Sequence, residues 1–415
     1  MTKDERDRFV SNLQEETVTK WASKAHSYKG VFELGTGVGK TKTAIMALDR
    51  VFKHRPDMDK IVISVPKKDL IKQWWEQLNV WGKNLDKYHR ITIETHAATY
   101  KRKANTINFI IFDEFHNILA DNYIKILRNN NLHCIVGLSA TLTQDKLNLL
   151  KDVSANTIRV VMKYNIDQAQ DDGVTAKSKK ANWRVSLSVS EKRNYDKYSS
   201  VLSKMRIDVP DISPKTAGLA LKGQYCFKGC TPGNSLRIAG KYTKLVSSRR
   251  KLLYNVLGKK EALADLGKYL IKHKQKAIVF VELTDTLVLI QKYLTNKGIP
   301  SAVYHGKMKD KDLENVLLSF KNNDICMILT AKKFNEGVDM PEVEWGIEIG
   351  GNSSVIQNPQ RIGRIIRYKE GKIGKFVHIT SVGTVEQNWI IGAYKNLKYK
   401  PKIIESFEEL IKWIE

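Results

Sequence analysis

Short apolar runs alternate with helix-patterned stretches twice along this chain of 415 residues, and that alternation leaves few folds open. Between residues 30 and 140 the runs are GVFEL, IVISV, ITIET, NFIIFDE and HCIVGLSA, with helical patterns starting at Lys40 and Lys67. Strands separated by helices read as a parallel sheet with helices covering its faces. A second series begins near Ala277 with AIVFV, SAVYH, CMILT, WGIEI and KFVHI. Helical patterns over 285–296, 311–320 and 353–367 separate most of those runs. The expected fold is therefore α/β, one architecture repeated in tandem without sequence repetition, and the length is enough to bury two separate cores.

A different segment lies between the halves. DQAQDDGVTAKSKKA is polar and reads as loop or linker, 183–189 as a strand, and 190–205 as a helix from the spacing of Tyr195, Tyr198, Val201 and Leu202. The Gly and Pro cluster KGCTPGNS predicts a loop, with helices from there to about residue 270. The last stretch, from Val385, reads as two helices broken at Pro401, with Trp389 and Trp413 as core anchors. The expected boundaries are 1–156 for the first unit, 157–269 for a linker and mainly helical insert associated with the second unit, 270–400 for the second unit, and 401–415 for a C-terminal helix.

Composition narrows the partner. Lys and Arg number 70 against 44 Asp and Glu, a net charge of +26, which creates an attractive field for a polyanion and points to nucleic acid. An enzyme that is merely basic is the bland alternative. An anionic membrane surface is disfavoured, because the lysines are dispersed and no stretch approaches the ~18 apolar residues of a span. The opening MTKDERDRFV carries charges of both signs where a signal peptide needs an apolar run, so the chain is expected in the cytoplasm, associated with DNA. The four cysteines are too scattered for a disulfide framework, and Cys226 and Cys230 lack a second pair at zinc spacing.

Three motifs carry chemistry. LGTGVGKT, from Leu34 to Thr41, sits between a strand and a helix, the context in which backbone amides and a helix N-terminus face phosphates. Gly35, Thr36, Gly37, Val38, Gly39, Lys40 and Thr41 are the expected ATP contacts, with Lys40 neutralising the β and γ charges and Thr41 ligating Mg2+. Leu34 stands where the strict spacing has glycine. FDEFH follows at the end of another apolar strand: Asp113 is the second expected metal ligand, through water, and Glu114 is placed to orient and deprotonate the attacking water. His116 reads as a relay to the SAT segment at Ser139–Thr141, or as a surface histidine at a helix start. The third motif is QNPQRIGRIIR, 357–367, in which Arg364 and Arg367 share a helix face and supply positive charge to the γ-phosphate, with Gln360 and Arg361 completing the segment.

The ordered set LGTGVGKT, VPKKDLIKQWWEQL, THAAT, FDEFH, LSATL, AIVFVE, YHGKM, LTAKKFNEGVDMP and QNPQRIGRIIR resembles superfamily 2 helicases of the DExH kind, over residues 34–367. Within them, the QW pair, EGVDMP and the two-arginine ending resemble the UvsW and XPB-like group, and the spare core resembles a phage branch-migration or recombination helicase. The resemblance implies two tandem RecA-like domains of the P-loop NTPase kind, with ATP and Mg2+ in the cleft. It implies that Gly337 and Asp339 contact nucleotide, that Gln14 reads adenine, and that Pro66, Lys67, Thr95, His305, Gly306 and Thr330 touch the nucleic-acid backbone. The expected activity is an ATP-dependent DNA helicase or translocase that unwinds or branch-migrates forks and four-way junctions, acting as a monomer beside replication or recombination proteins. The rivals are an RNA helicase, a restriction-type translocase subunit and a non-catalytic ATP-switched clamp. In the insert, Lys241, Lys244, Arg249, Arg250 and Lys251 near Tyr242 and Tyr254 read either as backbone binding with base stacking or as solvated helix faces over core tyrosines.

Overall fold

The computed structural model describes residues 1–35, 37–55, 57–82, 90–119, 123–331, 343–350, 371–395 and 397–415. The first sheet is built from β1 (Lys29–Leu34), β2 (Ile61–Val65), β3 (Ile91–Thr95), β4 (Phe109–Phe112), β5 (Cys134–Ser139) and β6 (Arg159–Tyr164), in the order β3-β2-β4-β5-β1-β6. Every pairing is parallel. β2 and β5 are buried along their whole length, which is why their sequences are apolar without alternation. Helices α1 (Lys3–Trp21), α2 (Lys40–His54), α3 (Asp69–Trp81), α4 (His96–Tyr100), α5 (Ile124–Arg128) and α6 (Gln144–Ser154) join and cover the strands. α1 starts at a capping box on Thr2 and ends by burying Trp21, whose indole N–H donates to Ile135 O at 2.8 Å across the sheet.

A short helix, α7 (Ile166–Asp171), leads into β7 (Lys177–Val185), the first strand of the second sheet. The helical insert follows as α8 (Val189–Asp208), α9 (Pro214–Leu221) and α10 (Pro232–Tyr254), then α11 (Leu257–Lys272) returns the chain to the sheet. The remaining elements are β8 (Ala277–Phe280), α12 (Thr284–Asn296), β9 (Ser301–Tyr304), α13 (Asp310–Lys321), β10 (Met327–Thr330), β11 (Trp345–Ile349), β12 (Ile373–Ser381), a helix over Glu386–Ala393, β13 (Lys402–Ile404) and a last helix over Phe407–Ile414. This sheet runs β13-β7-β12-β11-β8-β10-β9, again parallel throughout.

The architecture is therefore two tandem RecA-like α/β domains. The polar stretch read as loop or linker is instead α7 and the first half of β7, and the strand read at 183–189 lies at 177–185. Two of its polar side chains find partners more than 200 residues away: Asp167 Oδ2 accepts from the Lys398 amide at 2.7 Å, and Lys180 donates to Tyr399 O at 3.3 Å. Pro401 does not break two helices but precedes β13, which pairs with β7. Trp389 and Trp413 are half-buried; Arg250 lies over the former at 5.5 Å, and Lys402 over the latter at 4.8 Å. The helical pattern at 353–367 lies outside the described residues.

The insert has its own small core of Leu202, Ile212, Ala217, Ala220, Phe227, Ala239 and Tyr242. Tyr242 and Tyr254 are buried, so base stacking on either is corrected to core packing. Arg249 is buried too, and Arg250 pairs with Glu282 at 2.8 Å, whereas Lys241, Lys244 and Lys251 remain exposed. α11 is fastened by a fully buried ion pair: Lys259 Nζ donates to both Glu386 oxygens at 2.7 Å and to Leu253 O at 2.8 Å, while Glu386 also accepts from the Ser381 amide at 2.8 Å.

Candidate active site

In a parallel sheet all strands present their C-terminal ends on one edge, and ligands bind there. Along that edge of the first sheet the chain places the phosphate loop after β1, Pro66 and Lys67 after β2, Thr95 at the end of β3, Asp113 and Glu114 after β4, and Ser139 at the end of β5. The phosphate loop turns through Gly37 and Gly39, both with left-handed φ (88° and 80°) that a side chain would strain. Gly39 caps the fifteen-residue α2, whose first amides and dipole face outward over the loop. Lys40 Nζ donates to Leu34 O at 3.2 Å, so it lies back across its own loop. Thr36 lies outside the described residues.

Gln14, the expected adenine reader, is buried against this loop. Its Nε2 donates to Val38 O at 2.8 Å and packs on Gly39, where a Cβ would come within 2.5 Å of it. Its Oε1 is buried without a hydrogen-bond partner. The observed contact of Gln14 is therefore with loop backbone.

The acidic turn is held from several sides. The Asp113 amide donates to Ser64 O at 2.9 Å, and the Trp74 indole donates to Asp113 Oδ2 at 3.0 Å. Trp74 is buried because Leu70, Trp74 and Leu78 form the inward stripe of α3. Its role was missed in the sequence, although that four-residue spacing picks it over Trp75. Glu114 adopts a left-handed backbone (φ 49°), a conformation that costs a non-glycine residue about 1–3 kcal/mol and is kept where surrounding structure enforces it. Beneath the turn, the Ser64 hydroxyl shares hydrogen bonds with His96 Nδ1 at 2.8 Å and Thr99 Oγ1 at 2.9 Å. Burial pulls the His96 imidazole down to about 4, with the Asp113 main chain partly opposing.

His116 bridges two motifs: Nδ1 lies 3.3 Å from Glu114 Oε2 and 3.5 Å from Ser139 Oγ. Lys146 of α6 donates to the His116 carbonyl. A further acid, Glu33, sits buried in β1 just before the phosphate loop, and its Oε1 accepts the Leu142 amide at 3.2 Å, tying the SAT segment to the loop's strand. Burial raises the Glu33 carboxyl above its ordinary value. No motif pattern marks this residue; only an acid inside an apolar run betrays it.

In the second sheet, His305 and Gly306 follow β9, and Thr330 ends β10 with its hydroxyl buried and donating to Ala331 O at 3.1 Å. Gly337, Asp339, Gln360, Arg361, Arg364 and Arg367 lie outside the described residues. The residues present suit a magnesium nucleotide: a glycine turn at a helix N-terminus receives phosphates, and Thr41 and Asp113 offer the hard oxygen donors that Mg2+ requires. Among the described residues no cluster of His, Cys, Asp and Glu forms a separate metal site, and no helix is long and apolar enough to cross a membrane.

Known proteins resemble the chain over both domains. Residues 10–144 match the family described as "Type III restriction enzyme, res subunit", and residues 258–369 match "Helicase conserved C-terminal domain". The chain is 26% identical over 396 residues to "DNA 3'-5' translocase XPB2" of Sulfurisphaera tokodaii, covering 91% of this chain and 82% of that protein. It is 23% identical over 415 residues to the "General transcription and DNA repair factor IIH helicase/translocase subunit XPB/SSL2" of Saccharomyces cerevisiae, of which it spans 42%. The helicase domain of Pyrococcus furiosus Hef shares the fold with a TM-score of 0.58 at 17% identity, over 91% of this chain and 96% of that one. S. cerevisiae Dbp5 bound to RNA and ADP BeF3 does so at 0.61 and 14%, over 97% and 93%. The chain carries the paired motor domains of a superfamily 2 helicase. It is an ATP hydrolase that acts on nucleic acid.

Proposed function

We propose that this motor acts on DNA, as a translocase or helicase that remodels branched intermediates such as forks and four-way junctions. The observation that carries the reading is the assembled hydrolytic edge: Lys40 over the phosphate loop, Asp113 held by Trp74, and Glu114 joined through His116 to Ser139. A clamp that binds ATP without turnover has no use for a strained, positioned general base. Lys40 neutralises the phosphates, Thr41 and Asp113 hold Mg2+, which supplies charge stabilisation to the transferred phosphoryl, and Glu114 takes the proton of the attacking water. Arg364 and Arg367, with Gln360, complete the site from the second domain when the cleft closes, and Gly337 and Asp339 contact nucleotide there.

DNA is favoured over RNA by the relatives that match nearly all of this chain, which are named as DNA translocases or repair-factor subunits. The likeness to the RNA-bound structure extends to fold. Pro66, Lys67, Thr95, His305, Gly306 and Thr330 supply the backbone track, and the exposed Lys241, Lys244 and Lys251 give the insert a basic face suited to the duplex ahead of the separating strands. We take the working unit to be a monomer in the compartment that holds the DNA. The test is ATP hydrolysis and strand displacement on a panel of single strands, forks, four-way junctions, plain duplexes and RNA duplexes. Stimulation by DNA with preference for branched substrates is expected; stimulation by RNA alone overturns the assignment.

A further inference from the structure

The segment that joins the two sheets is packed into both domains. β6 ends at Tyr164 beside β1, and the amide of Gly35, at the start of the phosphate loop, donates to Tyr164 O at 2.7 Å. A Cβ on Gly35 would stand 3.3 Å from main-chain atoms of Tyr164, Asn165 and Ile166, so loop and segment touch backbone to backbone. The loop's far end leans on the same segment: a Cβ on Gly37 would lie 3.1 Å from Thr175 Cγ2. Arg6 of α1 bridges the two, its Nε donating to Val174 O at 2.9 Å and its Nη2 to Gly37 O at 3.3 Å.

The segment's side chains divide between the domains. Ala169 and Val174 belong to the core of the first, Ile166 and Ala176 to a core of the second. Polar groups of the second domain grip α7 from outside. The Lys398 amide donates to the buried Asp167 at 2.7 Å, Lys398 Nζ reaches Asp171 Oδ2 at 2.7 Å, and the Tyr399 hydroxyl donates to the other Asp171 oxygen. Lys180 of β7 donates to Tyr399 O, and Ser178 Oγ donates to Gln170 Oε1 at 2.7 Å. A capping box on Asn165 and the Tyr164 hydroxyl on Asp172 at 2.8 Å hold α7 as one piece.

We propose that residues 164–176 form a strut through which the second domain sets the phosphate loop, with Asp167, Asp171, Lys398 and Tyr399 as positioning residues for ATP turnover. The inference rests on the phosphate loop being the ATP site. Displacing the second domain pulls the strut at 398–399, and the pull reaches Gly35 through its main-chain hydrogen bond to Tyr164 and Gly37 through the Thr175 side chain and the Arg6 bridge. Nucleic acid lying across both domains thereby alters the loop without touching it, and nucleotide at the loop alters the grip on the second domain by the same amount, since coupling is reciprocal.

The test uses the full chain with Asp171→Lys and Lys398→Asp, singly and together, and with Tyr399→Phe. Two quantities are read: the ratio of ATP turnover with and without a single-stranded oligo(dT), and the Kd of a fluorescent non-hydrolysable ATP analogue. Each single reversal is expected to change at least one of these about threefold or more, and the double reversal to restore it, the behaviour of a directly coupled pair. Thermal midpoints identify any variant that fails to fold; Tyr399→Phe, which removes one oxygen, then carries the test and is expected to shift the same quantity in the same direction. Parental values of both quantities in every folded variant overturn the strut, and so do single effects that the double reversal leaves unrepaired. Lys40→Ala runs in parallel: retained hydrolysis there overturns the ATP-site assignment itself, separately from the strut.

Discussion

Glu114 and Asp113, proposed above as base and metal ligand, are each held by groups that would never meet substrate. Glu114 holds a left-handed backbone at the start of the turn Phe115–Asn117, and its carboxylate lies 3.3 Å from His116 Nδ1. Glu114→Gln keeps the shape and removes the base, so ATP binding is expected at parental affinity while kcat falls about 10²-fold or more; filter binding and steady-state turnover read the two separately. Lys40→Ala is expected to lose both. Asp113 is aimed by the Trp74 indole, a hydrogen bond to a charged group worth about 1.5–3 kcal/mol. Trp74→Phe keeps the packing of α3 and removes the donor, and it is expected to raise the Mg2+ concentration needed for half-maximal turnover, measured by magnesium titration. Lys180 shows the cost of a buried cation: burial pulls its ammonium down to about 8 from 10.5, with Asp167 partly opposing. Between those values the unfolded chain binds the proton more tightly than the folded one, so this group's contribution to stability grows as pH rises through the window and is lost as pH falls through about 8. Relative to Lys180→Met, the parental chain is expected to gain up to about 3 kcal/mol across that window, read from urea midpoints at several pH values.

Elements divide into those whose sequence states their environment and those whose partners are remote. β2 and β11 lie where their runs predict, because a strand covered on both faces is apolar nearly throughout; the buried exceptions, Ser64 and Glu348, lie against His96 and His378. α7 was read as linker because Asp167, Gln170, Asp171 and Asp172 look solvated; each instead has a polar partner, supplied by β6, β7 or the segment at 398–399. Tyr242 and Tyr254 look like a stacking platform beside basic residues, yet the periodicity of α10 turns them inward. The same remoteness hides the Lys259–Glu386 pair, whose members are 127 residues apart and wholly buried. Breaking such a pair leaves one charge without compensation, whereas replacing both by apolar groups removes the desolvation cost as well. Glu386→Ala is therefore expected to destabilise the chain by about 3–5 kcal/mol, and Lys259→Met with Glu386→Leu to recover most of that, measured by denaturant unfolding.

At the scale of the whole molecule, the convergence of the first-domain motifs on one sheet edge was legible because they are short contiguous stretches at strand ends, while the contacts that join the domains were not, because they pair main-chain atoms and side chains from distant segments. Charge behaves differently again: +26 is legible from composition, but only the structure sorts it by exposure. Arg249 and Arg250 are taken up by burial and by Glu282, while Lys241 and Lys244, one turn apart on α10, are exposed. If those two lysines meet phosphates, each binding event releases the counterions they displace, and log K falls with log salt by about 0.9 per duplex phosphate neutralised. Lys241→Ala with Lys244→Ala is then expected to flatten that slope by about 2 and to weaken binding evenly across duplex sequences, as contacts to backbone rather than bases do. Fluorescence anisotropy on a forked duplex over a salt series measures the slope directly. An unchanged slope assigns both lysines to solvent and moves the nucleic-acid track onto the two RecA-like domains alone.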